Sequence, residues 1–150
     1  NEANNISSAY LVRDKFSNSY VLESDLYLYN QDLIRKYEYH SNFLGFKVDR
    51  TDDWCLETKN GIITKEKVGG LDCYQMCGIS YYDKETGKQM EKDIKEVFMS
   101  PGGKERYWEQ VMLDIRKNDY KIYLRECKSE DIIEIDTFNE LKAIDKTYDV

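Results

Sequence analysis

The sequence predicts one α/β domain spanning all 150 residues, and three observations carry that prediction. Runs of β-branched and aromatic residues, such as Tyr20-Val21-Leu22, have the composition of buried strands. Asn60-Gly61, set between Trp54-Cys55-Leu56-Glu57 and Ile62-Ile63-Thr64, is the turn chemistry of a tight hairpin, because both residues tolerate positive φ. Residues 84–98 place Met90, Ile94, Val97 and Phe98 on one stripe of a helix whose other face is charged. No repeat, linker or low-complexity segment divides the chain, so both kinds of element share one core.

The remaining elements follow in order. Ile6, Ala9, Val12 and Phe16 recur near helical spacing, with Asn5 ahead of them as a candidate N-cap. The strand at residues 19–22 comes next and, with the long apolar run at 73–82, is expected at the centre of the sheet. It runs into two acids, Glu23 and Asp25, before apolar character returns at Leu26-Tyr27-Leu28. Residues 31–37 are predicted as a short helix, and 43–48 and 54–58 as separate strands. Gly69-Gly70 is expected to break the chain after the hairpin, and Pro101-Gly102-Gly103 to end the amphipathic helix. Residues 104–115 are predicted as another helix, with Tyr107, Val111 and Ile115 on one face. Residues 121–126 alternate as a strand and 132–135 form a further one. Thr137-Phe138-Asn139-Glu140 is a capping box, starting a helix that packs Phe138, Leu141 and Ile144. That leaves Asp136 between a strand end and a helix N-terminus.

Composition narrows the function classes. The net charge of −7 offers no electrostatic footprint for nucleic acid or an anionic membrane surface. No apolar run approaches membrane-spanning length and no signal peptide opens the chain. Residue 1 is Asn rather than Met, which suits a processed or trimmed piece. Four cysteines, Cys55, Cys73, Cys77 and Cys127, include no Cys-x-x-Cys pair, and the single His40 lies far from them, which argues against a zinc site. Reduced thiols packed in the core of a cytoplasmic protein are the expectation. Glu23 and Asp25 sit at the end of a strand, where α/β sheets place ligands, and suit a hard cation such as Mg²⁺; the same two acids also suit an ordinary turn.

The order of elements and several short motifs resemble a known family. Asn4-Asn5-Ile6-Ser7-Ser8-Ala9, Ser19-Tyr20-Val21-Leu22-Glu23-Ser24-Asp25, Asp53-Trp54, Gly78-Ile79-Ser80-Tyr81-Tyr82-Asp83, Tyr107-Trp108-Glu109 and Ile133-Glu134-Ile135-Asp136 occur in the order found in the second half of sugar-nucleotidyltransferase-like enzymes. The resemblance is to bacterial choline-phosphate cytidylyltransferases and their phosphonate-directed relatives. It implies the C-terminal portion of a nucleotidyltransferase fold, Rossmann-like with a mixed sheet, whose N-terminal nucleotide-binding half is absent. Those enzymes open with a Gly-rich loop, Leu-Ala-Ala-Gly-x-Gly-x-Arg, and a Pro-Lys pair that cradle the nucleotide phosphates. Neither occurs here. The resemblance therefore implies a fragment, a proteolytic product or one half of a split pair, whose partner is the missing half of the same domain.

The implied parent reaction is transfer of CMP from CTP to a phosphocholine-like or phosphonate acceptor, with Mg²⁺ as cofactor. By resemblance, Asp25 and Asp136 would be catalytic metal carboxylates, with Glu23 and Glu109 in reserve, Glu109 standing where Asp is common in the family. Trp54 and Tyr107 would box a cationic head group, since quaternary ammonium is attracted to aromatic faces. Tyr81 and Asp53 would contribute to the acceptor site, and Asn5 and Ser8 would touch the nucleotide. Most of these residues also have a plain structural alternative: a turn acid for Asp25, a helix-entry acid stabilised by the helix dipole for Asp136, core aromatics for Trp54, Tyr107 and Tyr81, helix capping for Asn5, and solvated charge for Glu23 and Glu109. A second function class stays open on sequence grounds, a small acidic binding protein of the immunity type, to which net negative charge and abundant Tyr are suited.

Overall fold

The computed structural model describes residues 4–148. Their organising feature is a ribbon of two long antiparallel strands, β3 (Asn42–Lys59) and β4 (Ile62–Tyr82). The ribbon turns at Asn60-Gly61, where φ is 53° and 76°, the two consecutive positive values a tight primed turn requires. β1 (Ser19–Leu22) adds antiparallel to β4, and β5 (Tyr123–Glu126) adds parallel to β3, giving a mixed four-stranded sheet in the order β1-β4-β3-β5. A second, two-stranded sheet pairs β2 (Leu26–Leu28) with β6 (Ile132–Glu134). The hairpin tip curls back onto β5, Ile62 pairing with Tyr123.

Both faces of the ribbon are covered. Alternation along β4 sends Tyr74, Met76 and Tyr82 toward helix α1 (Ile6–Leu11), helix α2 (Lys84–Met99) and a π-helical turn at Val111–Ile115. Cys77 and Ile79 point the other way, to Leu33, Leu44, Cys127 and Ile132. Met90, Ile94 and Val97 of α2 are buried as the helical stripe predicts, each contributing about 1.5–3 kcal/mol by leaving water. Asp83 caps α2 through the backbone N–H of Thr86 (2.9 Å). Phe16, Tyr82 and Trp108 pack their rings within 6.0 Å of one another, joining the chain just before β1, β4 and the segment before the π turn. The four cysteines are free and buried, as expected. Among the described residues no helix is long and apolar enough to cross a membrane.

Several elements differ from the sequence prediction, each for a local reason. β1 lies at the edge of the sheet among the described residues, while β4 is central. The strands predicted at 43–48 and 54–58 are one strand, β3, and Gly69-Gly70 does not break β4. Gly69, at φ 72°, lets the ribbon bulge there: the register shifts between Thr51↔Gly70 and Trp54↔Val68, and Asp52 and Asp53 are left out of the ladder. The helix predicted at 31–37 is only the 3₁₀ turn Gln31–Leu33, because Ile34 turns extended and Arg125 holds the Leu33 carbonyl and the Glu38 carboxylate. The helix predicted at 104–115 is interrupted: a 3₁₀ turn, Gly103–Glu105, ends at Arg106 in extended conformation (φ −83°, ψ 151°), so Tyr107 lies outside any helix. Helix α3 (Phe138–Ile144) has its capping box but buries no residue, and Phe138 packs edge-on against Tyr148.

Gly87 of α2 is set by close approach. A Cβ there would stand 2.4 Å from the Ser17 Cα and N and 2.6 Å from the Phe16 carbonyl carbon, all backbone. Gly87→Ala should therefore destabilise the protein by about 1–3 kcal/mol, overpacking outweighing the roughly 1 kcal/mol gain in helix propensity. Urea unfolding beside an exposed control on the same helix, Lys88→Ala, measures this: the Gly87 variant should unfold at clearly lower urea and the control near the parent.

Candidate functional site

A cleft of about 570 Å³ opens where β1 ends, beside the bend in the ribbon. Its first wall is built where β1 gives way to β2. Glu23 follows the end of β1 and Asp25 lies in the turn that leads into β2, and the turn brings their carboxylates together. The β2–β6 ladder pairs Leu26 with Glu134, and the Ile135 N–H donates to the Asp25 carbonyl (2.9 Å), which draws Glu134 to the same place. The result is an exposed triad, Glu23, Asp25 and Glu134, in which one carboxylate oxygen from each lies within 4.8 Å of the others. Gly78 makes room for it. At φ 62° it bulges β4, its carbonyl accepts the Glu23 N–H (3.0 Å), and a Cβ there would fall 2.2 Å from the Glu23 carboxylate.

The second wall comes from the ribbon bend and the segment before the π turn. Asp53 accepts the N–H of Trp54 (2.6 Å) and a hydrogen bond from Gln75 (3.3 Å), which fixes the bend. Trp54 then meets Tyr107 edge to face, ring centroids 5.3 Å apart at 65°. Trp108 is core, and its backbone N–H donates to the Asn5 side-chain oxygen (2.9 Å). Asn5 thus stands at the N-cap position of α1 without capping it, and ties α1 to the opposite wall. Asn5 and Ser8 both line the cleft.

The cleft floor is acidic. Glu109 is 5% exposed, and its Oε2 has no hydrogen-bond partner in the protein. Burial pushes its carboxyl up to about 8, with repulsion from Glu23 and Glu66 adding to it. Glu66 also has a buried, unpartnered Oε2, and burial raises it to about 7. Glu134 rises to about 7 through desolvation and then the charges of Asp136, Glu23, Asp25 and Asp53, and Glu23 is raised for the same kinds of reason. Among the described residues no Lys, Arg or His lines this cleft. Such a site attracts cations, and a phosphate enters it only with positive charge alongside.

The sequence candidates fall into groups. Asp25, Asp53, Trp54, Tyr107, Glu109, Asn5 and Ser8 all line the cleft. Asp136 lies just beyond the triad: its charge acts on Glu23 and Glu134, but it is not among the three grouped carboxylates. Tyr81 is not in the cleft. Strand alternation turns it to the opposite face of β4, where it packs on Tyr20 and donates to the Asn18 side chain (2.7 Å). Two residues were missed from the sequence. Glu134 sits within the terminal Glu-Ile-Asp motif, which was the available signal, two residues from Asp136. Glu66 carries no signal, lying in a strand with Lys on both sides.

No protein-family model matches the sequence. The chain is 26% identical over 148 residues to the choline-phosphate cytidylyltransferase of Streptococcus pneumoniae, covering 95% of this chain and 62% of that protein. It is 28% identical over 152 residues to the 2-aminoethylphosphonate cytidylyltransferase of Lancefieldella rimae, covering 98% and 61%. The solved CTP:phosphocholine cytidylyltransferase from Streptococcus pneumoniae superposes with a TM-score of 0.83 at 24% identity, covering 97% of this chain and 64% of that one. The fold is that of the nucleotidyltransferases, and the chain spans 61–62% of the length of these curated relatives.

The raised Glu109 carboxyl fixes the sign of a pH effect. Its folded value, about 8, lies above that of an unfolded chain. Between the two values the folded state holds the extra proton, so this group's contribution to stability falls as pH rises. The parent protein should lose urea resistance from about pH 5 to about pH 8, and Glu109→Gln should flatten that loss and exceed the parent at the upper end. Urea midpoints at both pH values decide it; equal slopes for parent and variant would place the Glu109 carboxyl in ordinary solvent.

Proposed function

We propose that this chain is the metal- and acceptor-binding part of a cytidylyltransferase, an enzyme that moves CMP from CTP to a small phosphorylated or phosphonate acceptor bearing a cationic group. The observation that carries the reading is the acidic, aromatic-walled cleft, free of Lys, Arg and His among the described residues, on a fold that aligns with two cytidylyltransferases over nearly the whole chain. In the reaction, an acceptor oxygen forms a bond to the α-phosphorus of CTP as the bond to the β-phosphate oxygen breaks and pyrophosphate leaves. Nothing in the fold or the cleft favours the alternative of a small acidic binding protein.

The triad fits Mg²⁺ by its chemistry: three hard carboxylate oxygen donors that small side-chain rotations bring together. Asp25, with Glu23 and Glu134, would hold the ion, and Asp136 and Glu109 would add to the negative field around it. The ion, when bound, neutralises phosphate charge at the reacting centre. The chain's own residues orient the reactants. Trp54 and Tyr107 form the wall against which the acceptor's cationic end lies, Asp53 holds the bend that carries Trp54, and Asn5 and Ser8 face the nucleotide. The N–H groups that cradle nucleotide phosphates in the Gly-rich loop of the family have no counterpart in this sequence. We assign that task to a nucleotide-binding part that joins this chain in cis or in trans.

Two measurements test the reading. Pyrophosphate release by the isolated chain with CTP and phosphocholine should not exceed a buffer blank, and adding the nucleotide-binding part should give turnover. In the complete protein, Asp25→Asn should lower kcat on the order of a hundredfold, the scale of losing one main electrostatic stabiliser. Near-normal turnover of that variant at saturating Mg²⁺ would remove Asp25 from the metal site.

A further inference from the structure

We infer that the acceptor's cationic end is an ammonium that still carries N–H donors, received by Glu109 and Glu66, and is not a fully methylated quaternary nitrogen. The inference rests on the cytidylyltransferase reading and names its acceptor class. Two observations point the same way. The first concerns the aromatic wall. A centroid separation of 5.3 Å at 65° is that of two rings in direct contact, so Trp54 and Tyr107 close on each other and leave no slot between their faces for a trimethylammonium group. They form one side of a pocket and not a cage.

The second observation is the floor. Glu109 and Glu66 both line the cleft, and the Oε2 atom of each is buried with no donor within the protein. Buried polar atoms in native structures are nearly always hydrogen-bonded. An ionised carboxylate only accepts, so what completes these two is a ligand that donates. A primary ammonium donates up to three N–H bonds and brings a positive charge, which favours the ionised form of both acids. A trimethylammonium brings the charge but presents only methyl groups to the two oxygens. Sites built to hydrogen-bond a substrate N–H discriminate strongly against analogues lacking it, because their own buried groups are then left unpaired.

The test uses the complete protein, with CTP and three acceptors that differ only at nitrogen: phosphoethanolamine, its N,N-dimethyl form and phosphocholine. The expected result is a kcat/KM for the primary amine on the order of a hundredfold above that for the trimethyl compound, with the dimethyl compound between them. Glu109→Gln should raise the KM for phosphoethanolamine by roughly tenfold or more, and it should shrink the preference over phosphocholine. The ranking on the parent protein needs no variant, so a misfolded Glu109→Gln leaves the inference open to refutation. Equal or better turnover of phosphocholine overturns the inference and leaves the cytidylyltransferase reading standing. No turnover of any acceptor overturns that reading; calorimetric binding of the same three compounds then decides the inference, equal affinities sinking it and tighter binding of the primary amine supporting it.

Discussion

The pairing of β3 with β4 is the constraint on which the other elements depend. β1 reaches the sheet only through β4, and β5 pairs along β3 and meets the start of β4 at the hairpin tip. Strands this long do not remain flat, because each carries a right-handed twist, and positive-φ residues release the accumulated strain as bulges. The bulge at Gly69 leaves Asp52 and Asp53 out of the ladder, with Asp53 and the next residue, Trp54, lining the cleft, and the bulge at Gly78 opens the space that the Glu23 carboxylate fills. The two places where the ribbon is irregular are thus the two places where it forms the walls of the cleft.

Charge is handled differently on the two faces of β4. On the face away from the cleft, Arg125 meets Glu38 in a pair almost without exposure, and the Tyr20 hydroxyl and the Leu33 carbonyl complete the network. A buried pair satisfied in this way fixes geometry, tying β1, the 3₁₀ turn and β5 together, whatever its net contribution to stability. In the cleft, six carboxylates, Glu23, Asp25, Asp53, Glu66, Glu109 and Glu134, gather with no basic residue in the lining among the described residues. Their mutual repulsion and partial burial oppose folding, and the helical and aromatic packing elsewhere offsets that cost. Uncompensated charge of one sign in a concave site is the arrangement expected where a ligand supplies the other sign.

The sequence was sufficient where the physics is local. Consecutive positive-φ residues at Asn60-Gly61, the apolar stripe of α2 and the capping box at Thr137 each depend on a few neighbours, and each stands in the structure as the sequence indicates. The interrupted helix before Val111 was not legible, because the apolar spacing of Tyr107, Val111 and Ile115 is helical while the break at Arg106 is a backbone choice that leaves the Tyr107 ring free to meet Trp54.

The sequence by itself determined an α/β chain, the acids that end β1, the aromatic pair and a resemblance spread in order along its length. Tertiary structure alone decided which acids act together. Glu134 joins Glu23 and Asp25 because of the β2–β6 register, over a separation of more than a hundred residues. One carboxylate oxygen each of Glu66 and Glu109 becomes buried and unpaired only in the folded chain, where β4 meets the segment before the π turn. Tyr81, attractive in its motif, is turned to the far face by nothing more than its parity on β4. Burial and register are properties of strands brought together from distant parts of the chain, and no window of sequence contains both partners.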